Sequence, residues 1–384
     1  MKEIVLKKNV MVGMSGGVDS SVAASILLDQ GYGVTGVTLK LLENEDGDFA
    51  ISESCEGFDS SAPQGSIPVE KTSKTCCSLD DVEDARATAF RLGIPFYVLN
   101  MKSEFKEKVI DYFIESYLDG MTPNPCLYCN KYLKFDAMLK KAKALEIDHI
   151  ATGHYARREY DESTGKYLLK KALDPTKDQS YALYMLTQEQ LSHLLLPLGS
   201  LSKSQIRAMA EQKELRVFNK PDSQDICFVS NGEYPEYIKR HTDKKIFPGL
   251  FVDRDGKKLG THKGIIYYTV GQRKGLGIAS KEPLFVIEKD VENNLIILGN
   301  KDSIKNMALT AKEMNYISID EPTSAFRASA KVRYSSKEAP ALITPLPGGR
   351  AKVEFDEAQA FIAPGQAVVI YDGDVVLGGG IIEK

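Results

Sequence analysis

The 384-residue sequence predicts an α/β protein: an N-terminal domain on a parallel sheet, a small central domain and a C-terminal β-barrel. Three observations predict it. From Val10 to about residue 218, short apolar strands alternate with amphipathic helices, the order that builds a parallel sheet covered by helices. Near Asn219 the texture shifts to Gly, Lys and β-branched residues, and helical periods fade. From Leu284 onward short strands and turns alternate to the end, as in a small barrel. The expected domains are 1–218, 219–280 and 281–384.

The elements follow in order. Val10–Val12 is a strand, Ser21–Gln30 a helix closed by Gly31, and Val34–Leu39 a second strand. Glu43–Thr75 breaks the rhythm; rich in Ser, Gly, Glu and Asp, it reads as a long surface insertion. Ser78 with Asp81 caps the next helix, whose buried face carries Val82, Ala85, Ala89 and Leu92 before Gly93 ends it. Phe96–Leu99 is a strand, Phe105–Tyr117 and Tyr132–Leu145 are helices, and His149–Thr152 is a strand. Thr187 with Gln190, and Ser202 with Gln205, open two further helices. Val286–Glu288, Leu295–Leu298, Ala351–Phe355 and Ala367–Tyr371 are strands expected in the barrel.

Composition narrows the function classes. No stretch approaches the roughly 18 apolar residues that span a bilayer, and no apolar run follows the lysines of Met1–Asn9 as in a signal peptide. A cytoplasmic protein with no membrane partner is expected. Its six cysteines then read as thiols, metal ligands or redox groups. With a formal net charge of −4, binding to nucleic acid would require local basic surface. Gly256–Lys281 supplies it: Lys257, Lys258, Lys263, Arg273, Lys274 and Lys281, with no Asp or Glu. Such runs are usually only solvated faces.

Gly13-Met14-Ser15-Gly16-Gly17-Val18-Asp19-Ser20 lies between a strand and a helix. Its glycines let backbone approach an anion, and amides of the loop and helix N-terminus point at that anion. Asp19 is out of place in a pure anion cradle and points to Mg2+, which takes carboxylate and phosphate oxygens together. The bland reading is a turn capping a helix; strand, loop, Asp and helix together speak against it. The spacing is neither Walker A nor G-x-G-x-x-G.

Cys126 and Cys129 stand in Asn124-Pro125-Cys126-Leu127-Tyr128-Cys129-Asn130-Lys131, expected just before the Tyr132 helix, where a thiolate is favoured. Cys227 follows in Asp222-Ser223-Gln224-Asp225-Ile226-Cys227-Phe228. Taken singly, Cys227 reads equally as a small buried hydrophobe, and the first pair as half a zinc site lacking its second half. Cys55, Cys76 and Cys77, in or beside the insertion, read as incidental.

The loop resembles that of the PP-loop ATP pyrophosphatases, the adenine-nucleotide alpha hydrolase-like fold. The two cysteine motifs resemble those of the bacterial tRNA-specific 2-thiouridylases, the tRNA uridine 2-sulfurtransferases. So do Ala151–Tyr155, Lys177–Tyr181, Thr269–Gly277, Asp290–Asn294, Pro364–Gln366 and Leu377–Gly380. The resemblance covers everything except the insertion. It implies ATP-dependent 2-thiolation of the wobble uridine in tRNAs for Lys, Glu and Gln, through an adenylated uridine. Gly13 through Ser20, with Leu39 and Gly153, would contact ATP. Cys227 would carry a persulfide and Cys129 would be its partner thiol, the pair ending as a disulfide. Asn124, Pro125 and Cys126 would face the target base. His154, Lys177, Asp178, Gln179, Arg333, Tyr334 and Gln366 would contact tRNA. A cysteine desulfurase or sulfur-relay protein would supply sulfur. Without the resemblance, His154, Lys177–Gln179 and Arg333-Tyr334 read as an ordinary histidine, a solvated loop and an exposed strand pair.

One departure opens a second route. Cys126 stands where better-known members have Asp, so Cys126, Cys129 and Cys227 form a set similar to other PP-loop thiolases that hold an iron–sulfur cluster. Sulfur delivery by persulfide and by cluster both stay open at this level. Two other readings compete: a PP-loop synthetase adenylating a small molecule, which leaves the cysteines unexplained, and a non-catalytic tRNA-binding scaffold, which leaves the phosphate loop unexplained.

Overall fold

A computed structural model describes residues 8–42, 79–221, 226–229 and 233–383. The expected insertion, its three cysteines, Ser78 and Asp222–Asp225 lie outside these residues. The expected alternation is present in β1 (Asn9–Gly13), α1 (Val18–Asp29), β2 (Gly33–Lys40), α2 (Leu79–Leu92) and β3 (Phe96–Asn100). A long helix follows: α3 (Lys102–Phe105), a π-helical stretch Lys106–Ile110 and α4 (Asp111–Leu118). A second comprises α5 (Pro125–Tyr128), a π-helical stretch Cys129–Ala137 and α6 (Met138–Ala144), leading to β4 (His149–Ala151). The hairpin β5 (Ala156–Asp161) and β6 (Lys166–Lys171) precedes α7 (Gln188–His193), β7 (Leu194–Leu195) and α8 (Lys203–Gln212).

The first sheet is parallel, in the order β3-β2-β1-β4-β7. β1 is central, with β2 on one side and β4 on the other. The chain runs outward through β1, β2 and β3 and then crosses to β4 on the other side of β1; this reversal opens a crevice beyond the C-terminal end of β1, where open α/β sheets bind ligands. The phosphate loop begins there. Both expected capping boxes are present, Thr187 with Gln190 and Ser202 with Gln205.

The structure corrects three expectations. The helix expected from Tyr132 starts seven residues earlier, at Pro125, because Asn124 caps it and Pro125 takes its first position. Cys126 and Cys129 are therefore inside this helix. The strands β10 (Phe285–Asp290) and β11 (Leu295–Gly299), expected in the barrel, pair instead with β8 (Gly249–Val252) and β9 (Lys258–His262), in the order β10-β11-β8-β9. Val286, Ile296 and Leu298 close their own apolar cluster with Phe251 and Tyr268, so burial draws them to the central sheet. Between α8 and this sheet lies α9 (Tyr234–Arg240). Finally, the β5–β6 hairpin sits within the expected first domain but joins the barrel sheet.

That barrel comprises β12 (Lys305–Tyr316), β13 (Phe326–Lys331), β14 (Ala339–Leu346), β15 (Arg350–Ala360), β16 (Ala367–Asp372) and β17 (Val375–Ile382). They run β12-β15-β14-β13-β16-β17, and β12 also pairs with β17, closing six antiparallel strands. Alternating residues such as Ala341, Ile343, Ala351 and Val353 fill its interior. The largest apolar cluster is not confined to one sheet: it runs from Met11 through Phe113, Cys129 and Tyr184 to Val369 and Ile381. Each fully buried Leu, Ile, Val, Phe or Met side chain in it contributes about 1.5–3 kcal/mol. This shared core fixes the barrel's outer wall against the crevice domain. Among the described residues, no helix is long and apolar enough to cross a membrane.

Candidate active site

The loop after β1 is held from within. Ser20 Oγ accepts from the Ser15 amide at 3.1 Å and donates to the Gly17 carbonyl at 3.2 Å. Ser21 Oγ donates to the same carbonyl at 2.9 Å. Thr38 Oγ1 donates to the Met14 carbonyl at 2.6 Å, tying the loop to β2. Two glycines let neighbours close around it. Gly16 has φ +69°, and a Cβ there would lie 2.1 Å from the Asp81 carbonyl oxygen at the start of α2. A Cβ on Gly153, just after β4, would lie 2.7 Å from the Ser20 amide nitrogen. First-turn amides of a helix lack partners within it, so a loop shaped this way presents α1 to an anion. Leu39, near the end of β2, is half-buried beside this crevice strand.

Asp19 lies in the first turn of α1. Lys203 Nζ donates to both its carboxylate oxygens at 2.8 Å, and the Tyr155 hydroxyl donates to Oδ1 at 2.6 Å. Magnesium binds through one or two carboxylates together with substrate phosphates. Asp19 is one such carboxylate on the loop, so the donor set fits an ion carried in with a triphosphate. A second lysine braces the loop from α2's side. Lys220 Nζ donates to the Gly16 carbonyl at 3.0 Å, to Asp81 at 2.7 Å and to Asp84 at 2.5 Å. The sequence reading missed both lysines. For Lys203 a signal existed: it is the first residue of α8, where the helix dipole disfavours a cation unless an anion faces it.

Asn124 Oδ1 accepts from the Cys126 amide at 3.1 Å, and Pro125 is buried behind it. Cys126 is exposed in the helix's first turn, where the dipole favours negative charge. Cys129, one turn on, is buried at the start of the π-helical stretch, a form frequent at functional sites. Cys227 is half-buried and packs against the same apolar cluster that contains Cys129. Its neighbour Phe228 anchors it, with ring centroids 5.6 Å from Phe105, 5.2 Å from Phe113 and 5.3 Å from Tyr237. Among the described residues no group of three or more His, Cys, Asp or Glu side chains is placed to hold a metal ion.

The residues expected at tRNA are held by hydrogen bonds to the surrounding chain. His154 is half-buried, with Nδ1 2.8 Å from Thr152 Oγ1; burial and the nearby Lys134 hold its pKa well below the usual histidine value. Gln179 is bonded to the Tyr155 backbone through both its side chain and its amide, at 2.9 and 2.8 Å. Asp178 accepts from the Ala172 amide and from Ser180, so the Lys177–Gln179 segment is a braced turn and not a loose loop. Tyr334, exposed after β13, donates to the Asp178 carbonyl at 3.1 Å. Arg333 donates to the carbonyls of Phe361 and Val270, joining barrel to central region; burial lowers its pKa. Gln366 donates to the Thr122 carbonyl at 2.7 Å, two residues from Asn124. The structure thus links Tyr334 to the 177–179 turn, and Gln366 to the segment that leads into the cysteine helix.

Comparison with known proteins covers nearly the whole chain. The family model described as the tRNA methyl transferase HUP domain matches residues 8–231, more than half of the sequence. The companion PRC-barrel and aminomethyltransferase β-barrel models match 235–300 and 306–382. The tRNA-specific 2-thiouridylase MnmA of Clostridioides difficile is 53% identical over 379 residues, covering 99% of each chain. The chain belongs to the tRNA-specific 2-thiouridylase family. A second member, from Acetivibrio thermocellus, is 52% identical, covering 98% of this chain and 99% of its own. The middle model's span, 235–300, coincides with the central sheet. The family's fold, an α/β phosphate-loop domain followed by two β-structures, is the one present here.

Proposed function

We propose that this enzyme uses ATP to replace the C2 oxygen of a tRNA uridine by sulfur. The observation that carries this reading is the pairing of a complete phosphate loop with two cysteines, Cys129 and Cys227, packed in one apolar cluster. A synthetase would need the loop but not the thiols, and a scaffold would need neither.

A uracil carbonyl oxygen leaves poorly. Attack of O2 on the α-phosphate of ATP expels pyrophosphate and makes the oxygen part of a phosphodiester, which departs later as AMP. Residues Gly13–Ser20 hold the departing pyrophosphate through amides and hydroxyls, with no reorganisation at the moment charge develops. Magnesium, when bound, neutralises phosphate charge, and Asp19 would hold it. Cys227 bears a persulfide loaded by a sulfur-donor protein. Its outer sulfur adds to C2, or Cys129 first displaces it as sulfide that adds. Either path breaks the S–S bond, forms the Cys129–Cys227 disulfide and expels AMP, and an external thiol then resets the pair. Thiolates are strong nucleophiles, which accounts for cysteine here. Cys129 is buried, so the flipped base must enter its pocket for contact. Asn124, Pro125 and Cys126 would border that pocket. His154, the 177–179 turn, Arg333, Tyr334 and Gln366 would grip tRNA. The wobble position and the Lys, Glu and Gln acceptors belong to the same proposal.

The test is reconstitution. Full-length enzyme, tRNA transcripts, Mg–ATP and a persulfide donor are incubated, and nucleosides are separated by mass spectrometry. One 2-thiouridine per AMP and pyrophosphate released is expected, at the first anticodon position. No thionucleoside, or sulfur at C4, defeats the reading. Anaerobic iron and acid-labile sulfide content separates the two sulfur routes. Absence of both from active enzyme supports persulfide delivery; stoichiometric iron lost in Cys126→Ser supports the cluster.

A further inference from the structure

The phosphate loop's wall contains an ammonium that the proposed chemistry has not yet used. Lys203 and Asp19 come from the first turns of two helices, α8 and α1, 184 residues apart. Lys203 Nζ lies 2.8 Å from both Asp19 oxygens and 5.8 Å from the Tyr155 ring centroid. Its side chain is only 13% exposed, against 30% for Asp19, so the lysine sits deeper in the wall than the carboxylate. Tyr155 is itself buried, and its backbone is clamped by Gln179 on both sides. The pair is therefore built into a rigid frame one residue from Ser20, whose hydroxyl shapes the loop.

A bare carboxylate beside this loop would repel a triphosphate. In the ligand-free state Lys203 cancels that charge. Once magnesium arrives with ATP, Asp19 gains a second cation to hold, and the Lys203 ammonium can exchange one carboxylate contact for phosphate oxygens. A lysine suits this exchange, since its charge is a point on a flexible stem with three donors. We propose that Lys203 is a triphosphate-binding residue that exchanges partners: it pairs with Asp19 in the free enzyme and with phosphate oxygens of bound Mg–ATP. The inference rests on the ATP-dependent reading above and adds a residue to its substrate site. It also gives the site a means to distinguish triphosphate from the product AMP, which lacks the β- and γ-oxygens.

Calorimetric titration of the full-length chain with ATP and with AMP, in magnesium, tests this. Lys203→Met is expected to weaken ATP about tenfold or more, the scale of one charged hydrogen bond, while changing AMP affinity about twofold at most. Lys203→Arg should recover part of the ATP affinity. A lysine that acts only by positioning Asp19 is separated by a double-mutant cycle. In the Asp19→Asn background, Lys203→Met should still weaken ATP about fivefold or more. If it has no further effect there, or if ATP and AMP lose affinity equally, the proposal fails. The double variant removes both charges together, so it leaves no orphaned ion to unfold the site, and its thermal midpoint confirms folding. Wild-type chain that binds no ATP would overturn the ATP reading itself, and this inference with it. Wild-type chain that binds ATP while Lys203→Met binds it as tightly would overturn this inference alone.

Discussion

Replacing Gly16 by Ala should damage this enzyme in a way that can be divided into two parts. Gly16 has φ +69°, and a side chain in that conformation costs about 1–2 kcal/mol. Its new Cβ would also lie 2.1 Å from the Asp81 carbonyl oxygen and 2.8 Å from the Asp81 Cα. These are backbone atoms at the start of α2, so the helix end must retreat; overpacking of this kind costs about 1–3 kcal/mol. Gly93 provides the control. Its φ is +66°, and nothing lies within 4 Å of a Cβ built there. Gly93→Ala should therefore carry the backbone term alone, and any gain from stiffening the unfolded chain is common to both variants. Urea unfolding should show Gly16→Ala less stable than Gly93→Ala by about 1–3 kcal/mol. For a unit of this size that corresponds to a thermal midpoint lower by several degrees, roughly 2–4 °C per kcal/mol. ATP affinity should fall in Gly16→Ala and hold in Gly93→Ala. Equal loss of stability in both variants, with normal ATP binding in Gly16→Ala, would refute the close packing of α2 on the loop.

Other perturbations follow the same logic. Lys220→Met should destabilise by about 1–3 kcal/mol, less than a fully buried pair because Lys220 is 30% exposed, and should raise the KM for ATP by leaving Asp81 and Asp84 without this lysine; an unchanged KM would count against it. Burial lowers the Lys220 pKa but its bonds to Asp81 and Asp84 outweigh that and raise it above 10.5, so its stabilisation is complete below that pH and lost only as pH climbs through the raised value. His154 has the opposite sense. Its depressed pKa means the unfolded chain takes up a proton first, so stability should fall as pH drops below 6.5, by about 1.4 kcal/mol per unit at most. His154→Asn should flatten that slope in urea melts at graded pH. Phe228→Ala should cost about 3–5 kcal/mol and speed alkylation of Cys227 while ATP affinity holds; unchanged labelling would show that the ring does not anchor the thiol.

Local chemistry was legible in the sequence wherever neighbours along the chain carry it. The strand–loop–helix of residues 9–29, the two capping boxes and the strands at Ala351–Phe355 and Ala367–Tyr371 are each set by residues a few positions apart. Asn124-Pro125 is equally local, a capping Asn with Pro at the first helical position. What was not legible depends on distance. Lys203 meets Asp19 across 184 residues and Lys220 meets Asp81 across 139, and no period or spacing announces such pairs. β10 and β11 alternate like barrel strands; only the apolar cluster they share with Phe251 and Tyr268 assigns them to the central sheet.

The β5–β6 hairpin bears on how the chain is made. β6 borders β17 at Lys170 and Val375, and Arg157 and Lys170 both reach Asp374. At about 5–20 residues per second, a ribosome needs roughly 10–40 s to travel from one partner to the other. Throughout that interval a finished hairpin waits with one edge unpaired, and the tyrosines at 181 and 184 wait for Val369 and Tyr371. Nascent N-terminal fragments should therefore be the aggregation-prone species, and shortening the gene from its 3′ end should cost solubility before it removes any residue of the phosphate loop.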